Sequence, residues 1–278
     1  MTPEEYQVLQ SKITAYKILQ KLRKGVQNRI WAYEHKDQYR KKRGLPPIAL
    51  LSDDREYLDA IFGDVRIQLE GLEGKEREVA KTFSPLAFNH PIWIDWLKNV
   101  SGIGPVYTAI LIVEILPRSF LHRSSLTKFC GYHTINGRKA RKVAGRKLDY
   151  DPFLQSVFWN IGENFTKSGD EEQYYGYYLR EKEFYTKKYP NYLPPPKGWK
   201  SLPKEKQHPK HLHKLAINKT VKLFMSHLWD VKYKMENLGK VPLPRHYGSN
   251  APLSYDEVIA PYGYSLSKDL LYNWSEPT

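Results

Sequence analysis

The sequence predicts an all-α fold: a long N-terminal helical hairpin, coiled-coil-like, followed by a compact helical domain. Three observations carry this. Apolar residues recur every three or four positions over two long stretches. Residues that favour helix starts stand just ahead of several apolar runs. Strand signals are few.

The first stretch, residues 3 to about 42, reads as one long helix. Leu9, Ile13, Tyr16, Leu19, Val26, Ile30 and Tyr33 share a face, and the rest is largely Lys, Arg, Gln and Glu. Gly44-Leu45-Pro46-Pro47 ends it. Ser52 is the N-cap of a second helix, with Asp53 and Asp54 in its first turn and a stripe of Leu58, Ile61, Phe62, Val65, Leu69 and Leu72. Two long helices joined by a short Pro-containing loop make an antiparallel hairpin or a dimerising coiled coil. The stripe is not a strict heptad, which favours a hairpin that packs on itself or on a partner. Residues 1–88 are expected to form this hairpin and to mediate a homodimer.

Residues 89–238 form the second expected domain. Pro91 suits the first turn of a short helix carrying Trp93, Trp96 and Leu97. An apolar helix follows Gly104-Pro105 to about residue 116, and a short one spans about 125–130. A basic loop covers 133–149. Asp151 caps the next helix, with Pro152 at its first position and Phe153, Leu154, Val157, Phe158 and Ile161 on its buried face. A Tyr-rich helix spans roughly 171–189, residues 190–206 form a Pro-rich linker or lid, and a last helix covers about 211–236. Residues 239–278 read as a Pro/Tyr-rich tail.

Charge narrows the partner. Lys and Arg number 44 against 30 Asp and Glu, a formal net charge of +14. Such a balance favours a polyanion, with nucleic acid ahead of an anionic membrane. The longest apolar run is too short to span a bilayer. A single cysteine, Cys130, excludes an intramolecular disulfide and fits a reducing cytoplasm. The acidic start of the chain lacks the apolar run of a signal peptide.

Four motifs carry chemistry. The first is Val100-Ser101-Gly102-Ile103-Gly104-Pro105, ahead of Ala109. Gly102 and Gly104 are expected to form a tight turn with positive φ, presenting free N–H groups and a helix N-terminus to phosphate. The second is the loop holding Arg138, Lys139, Arg141, Lys142, Arg146 and Lys147, six cations within ten residues and no acid among them. Tyr132 and Tyr150 flank it as stacking platforms, with His133 beside them. The third is a histidine set: His208, His211, His213, His227 and the Cys130-x-x-His133 spacing. One cysteine is too few for a persuasive zinc site, so the histidines, His211 and His213 among them, are read as hydrogen-bonding locally or meeting phosphate, and no metal or other cofactor is expected. The fourth is the last helix, amphipathic, with Lys219 and Lys222 off its apolar face.

No complete catalytic site is recognisable, and no enzyme activity is expected. A two-metal nuclease would need converging carboxylates. Glu114, Asp149 and Asp151 would be the first candidates, and Thr134 or Tyr150 the first candidate nucleophiles.

From Trp93 to Glu236 the run of motifs resembles the C-terminal domain of insertion-sequence transposases guided by a bridge RNA. The resemblance lies in the Gly102-Ile103-Gly104 turn with Ala109, which resembles a helix-hairpin-helix motif, and in Phe120, Ser125-Leu126-Thr127-Lys128-Phe129-Cys130-Gly131-Tyr132, the basic loop and Asp151-Pro152-Phe153-Leu154. That family carries an N-terminal RuvC-like nuclease with four acidic residues and a nucleophilic serine in the loop. Here the N-terminal segment is a basic hairpin, and residues 133–151 contain no serine. The long hairpin ahead of such a domain also resembles Nop-domain proteins, and most of all the nuclease-free ones associated with tandem interspaced guide-RNA arrays. The resemblance implies a guide-RNA-binding dimer that directs RNA to target DNA. The alternatives are a divergent transposase or recombinase and a sequence-independent binder of duplex DNA.

Overall fold

The computed structural model describes residues 1–44, 52–135, 138–140, 145, 147–189 and 211–236. They are mostly helical, as the residue spacing predicts. The chain divides into two compact units, Met1–Asn89 with Ala109–Val113, and His90–Thr108 with Glu114–Thr278. Among the described residues no helix is long and apolar enough to cross a membrane. The linker at 190–206 and the tail at 239–278 lie outside the described residues.

In the first unit, α1 spans Pro3–Glu34 and α3 spans Ser52–Lys81. Thr2 caps α1 in a capping box: its hydroxyl accepts from the Glu5 N–H, and the Glu5 carboxylate accepts from the Thr2 N–H. Leu9, Ile13 and Ile30 are buried. The two helices run antiparallel, because their contacts ascend on α1 as they descend on α3. Lys12 meets the Thr82 carbonyl, Arg23 pairs with Glu76, and Tyr33 stacks on Phe62 and donates to Asp59. The helix expected to run unbroken to residue 42 instead stops at His35, and a separate α2 covers Lys36–Lys42. His35 leaves helical geometry (φ −108°, ψ 13°), and both its backbone N–H and its ring Nδ1 lie 3.0 Å from the Trp31 carbonyl. The ring stacks on Trp31 and shares its carbonyl with the His35 backbone N–H, which still makes its helical bond.

Short helices α4 (Ser84–Phe88) and α5 (Pro91–Asp95) lead to a 3-10 turn at Leu97–Asn99 and to α6 (Pro105–Glu114). The second unit continues with α7 (Arg123–Phe129), a ribbon of β1 (Thr134–Ile135) and β2 (Arg138–Lys139), and then α8 (Pro152–Phe165), α9 (Tyr174–Lys188) and α10 (His211–Glu236). Where the sequence reads as plain loop, this ribbon pairs Thr134 with Lys139 and Ile135 with Arg138. Asp151 caps α8 as its position predicts, accepting from the Phe153 and Leu154 N–H groups through Oδ1. The unit's core is aromatic. Phe224 of α10 lies within ring-contact distance of Trp96, Phe158, Phe165 and Tyr174.

Three buried or part-buried titratable groups tie stability to pH. His227 is fully buried against the Tyr174 hydroxyl (2.6 Å), and burial, reinforced by Arg123, lowers its pKa from 6.5 to about 3. His90 caps α5 by accepting the Ile92 N–H on Nδ1, and burial lowers its pKa to about 4. Asp230 pairs with Arg123, but burial outweighs that cation and raises its pKa to about 6. Below pH 6.5 the unfolded chain takes up protons on both histidines while the folded protein resists. Their contributions are complete above that pH and fall as pH falls. Asp230 acts oppositely between 6 and 3.8, where only the folded carboxyl is protonated. Two histidines against one carboxyl leave a net loss of stability on acidification, with a slope up to about 1.4 kcal/mol per pH unit. His90→Asn keeps a capping acceptor and removes one titration. Thermal unfolding across pH should show unchanged stability above pH 6.5 and a shallower acid loss between 6.5 and 4. An unaltered acid profile contradicts the assignment.

Candidate nucleic-acid interface

The glycine turn joins the 3-10 turn to α6, and its two glycines serve different ends. Gly102 has φ +96°, and a Cβ there would stand 3.3 Å from the Asn164 carbonyl carbon and from Phe165 Cδ1. Asn164 Nδ2 also donates to the Gly102 carbonyl. Gly102 is thus fixed by the close approach of the end of α8. Gly104 does not have positive φ, which corrects the expectation for that residue, and nothing lies within 4 Å of a Cβ built on it. Gly104 therefore keeps an open side next to the first-turn N–H groups of α6, which a helix cannot pair within itself. The other side of the turn is occupied. The Ser101 N–H donates to Gln173, its hydroxyl donates to Asp170 (2.8 Å), and Gln173 donates to the Asn99 carbonyl. The Asp170 carboxylate would repel a phosphate on that side.

A second feature joins residues far apart in sequence. Lys139 of β2 donates to Asn218 Oδ1 of α10 at 3.3 Å. Its Nζ sits 3.6 Å from the centre of the Tyr132 ring and 5.9 Å from that of Trp159. Burial, then the positive charge of Lys222, lowers the Lys139 pKa to about 8. Lys222 is lowered in the same way, by burial and then by Lys219. Asn218, Lys219 and Lys222 share a side of α10 at helical spacing. Lys139 thus lies within electrostatic reach of Lys222, and Lys222 within reach of the exposed Lys219, and among the described residues none of the three forms an ion pair. A part-buried cation without a counter-charge is held at an energetic cost that a bound anion relieves.

The remaining expected contacts fall into separate settings. Arg141, Lys142 and Arg146 lie outside the described residues, and for Arg138 only the backbone is described. Lys147 is exposed. Tyr132, expected as a stacking platform, is 1 % exposed and has Lys139 on its face, so no base can reach it. Its hydroxyl is pushed up by burial and then by Cys130. Tyr150 packs against Gly131, where φ +70° and a 2.6 Å approach exclude a Cβ. His133 stands 3.3 Å from Asp149, with both ring nitrogens buried and no hydrogen-bond partner for them among the described residues. His213 is held between the Tyr178 hydroxyl (2.8 Å, at Nδ1) and Glu163 (3.5 Å, at Nε2), so it ties α8, α9 and α10 together rather than facing outward alone. His208 lies outside the described residues, as does the side chain of His211. Among the described residues no three His, Cys, Asp or Glu side chains are grouped to hold a metal ion. Cys130 is buried, and its thiol is raised well above the ordinary value by burial and then by Asp151.

Trp159, Asn218 and Gln173 lie outside the residues that the sequence motifs single out. Trp159 alone carried a signal: it is a large aromatic set beside the apolar stripe of Leu154, Val157, Phe158 and Ile161 rather than on it. No protein-family model, no curated protein and no solved structure matches the chain.

The two glycines should separate under mutation. Gly102→Ala forces a left-handed residue against α8 and should cost about 1–2 kcal/mol of stability. Gly104→Leu should leave the melting temperature close to that of wild type yet weaken nucleic-acid binding in a filter or anisotropy assay. Full binding by Gly104→Leu removes the phosphate role of the turn.

Proposed function

We propose that this chain is a guide-RNA-binding protein that carries its RNA to complementary DNA and has no nuclease of its own. The observation that carries the reading is that Lys139 lies within electrostatic reach of Lys222, and Lys222 of Lys219, without a described carboxylate partner. The net charge of +14 and the resemblance to bridge-RNA-guided transposases and nuclease-free Nop-domain proteins point the same way. In this reading base pairing selects the target, while lysines and the Gly104 face hold backbone. The setting is the cytoplasm. The partner copy docks on the N-terminal hairpin, where Val8, Ile18 and Leu22 of α1 are each about half exposed on one outer side. The open side of Gly104 favours one second reading, a binder of duplex DNA that works through backbone contacts alone.

Affinity for structured RNA should fall steeply with salt, since each phosphate contact releases counterions. Replacing Lys139, Lys219 and Lys222 together by Ala should flatten the log–log slope by roughly two units. Structured RNA should also outcompete duplex DNA of the same length at the same salt. A slope unchanged by the triple replacement moves the interface elsewhere. Displacement of the RNA by duplex DNA replaces the guide reading with the duplex-binding one.

A further inference from the structure

The basic surface has an aromatic neighbour that the closed Tyr132 cannot replace. On α8, Leu154, Val157, Phe158 and Ile161 are buried, while Trp159 is only part-buried. Its ring centre lies 5.9 Å from Lys139 Nζ, and Lys139 reaches Asn218, next to Lys219 on α10. A nucleotide's phosphate and its own base are separated by a distance of the same order. Lys139 lies more distantly over the Trp159 ring than over Tyr132, and unlike Tyr132 the indole is only part-buried, so cations and indole are spaced as the two ends of one nucleotide.

We propose that this cluster seats a single unpaired nucleotide of a polynucleotide, with Lys139, Lys219 and Lys222 on the phosphate and Trp159 against the base. The inference rests on the nucleic-acid reading above and adds the form of the ligand. Within a duplex each base is closed in by its stacked neighbours and its pair, so a duplex offers phosphate to the lysines and nothing to Trp159. A loop, bulge or single strand offers both. Stacking on an indole is indifferent to base identity, so the subsite selects unpaired structure rather than sequence. The lowered pKa of Lys139 fits the same geometry: burial, and then the charge of Lys222, loosens its proton, and a phosphate bound beside it restores that proton.

The test uses the full chain with three probes of equal length: an oligouridylate, its abasic counterpart and a duplex. Trp159→Ala should weaken the oligouridylate about tenfold and leave the abasic strand and the duplex unchanged. Trp159→Phe should keep most of the affinity but lose the fluorescence quenching that the oligouridylate causes in the wild type. Equal weakening of all three probes by Trp159→Ala overturns the inference, as does the same quenching in Trp159→Phe. Uridine monophosphate that binds as tightly as the oligomer overturns it too, because the site would then hold a free mononucleotide. A wild-type protein that binds none of the probes fails the nucleic-acid reading itself, whereas even binding of all three, unaffected at Trp159, fails this inference alone.

Discussion

The second unit depends on one missing side chain. At Gly162 a Cβ would stand 2.6 Å from Val221 Cγ2 and 2.7 Å from Ile217 Cγ2, closer than packed carbons tolerate. Only glycine lets α10 approach α8 this closely. Glycine within a helix costs roughly 1 kcal/mol against alanine, so the approach must return more than that. It does so at Phe224, which reaches Trp96 and Phe165 at 5.5 and 5.3 Å between ring centres. Contacts of this kind add about 0.5–1.5 kcal/mol each beyond the area they bury.

The same seating fixes the candidate interface. With Ile217, Val221 and Phe224 turned to the core, helical periodicity carries Asn218, Lys219 and Lys222 round toward the side where β2 brings Lys139. Polar contacts brace the packed helices from further along. Arg123 of α7 pairs with Asp230, the Trp229 indole donates to the Phe120 carbonyl, and His213 and His227 each bond a tyrosine of α9. A basic surface held by such a frame keeps its cations in place without a ligand, so an anion that bound there would lose less to ordering of the site.

Local features were legible in the sequence, and distant ones were not. Asp151-Pro152 announces the start of α8 because capping and a fixed proline φ act within three residues. The bounds of α10 and the paired long helices follow from periodicity in the same way. The break at His35 is not legible in the sequence because the apolar spacing runs straight through it; it shows in the residue's dihedral angles, beside the ring's bond to the Trp31 carbonyl. Gly102 and Gly104 look equivalent in sequence; the end of α8 makes them different. Tyr132 was expected to face nucleic acid because it borders the basic loop, yet a tyrosine beside a charged loop can equally close the core beneath it. Lys139 and Asn218 are 79 positions apart, and no periodicity connects them.

The most direct test of this account is the titration of Lys139 in isotope-labelled protein, with Gly162→Ala as the comparison. The account predicts a pKa near 8 in the wild type, and a return toward 10.5 when the added methyl pushes α10 and its lysines away from β2. An ordinary lysine titration in the wild type, or the same lowered value in Gly162→Ala, would contradict it.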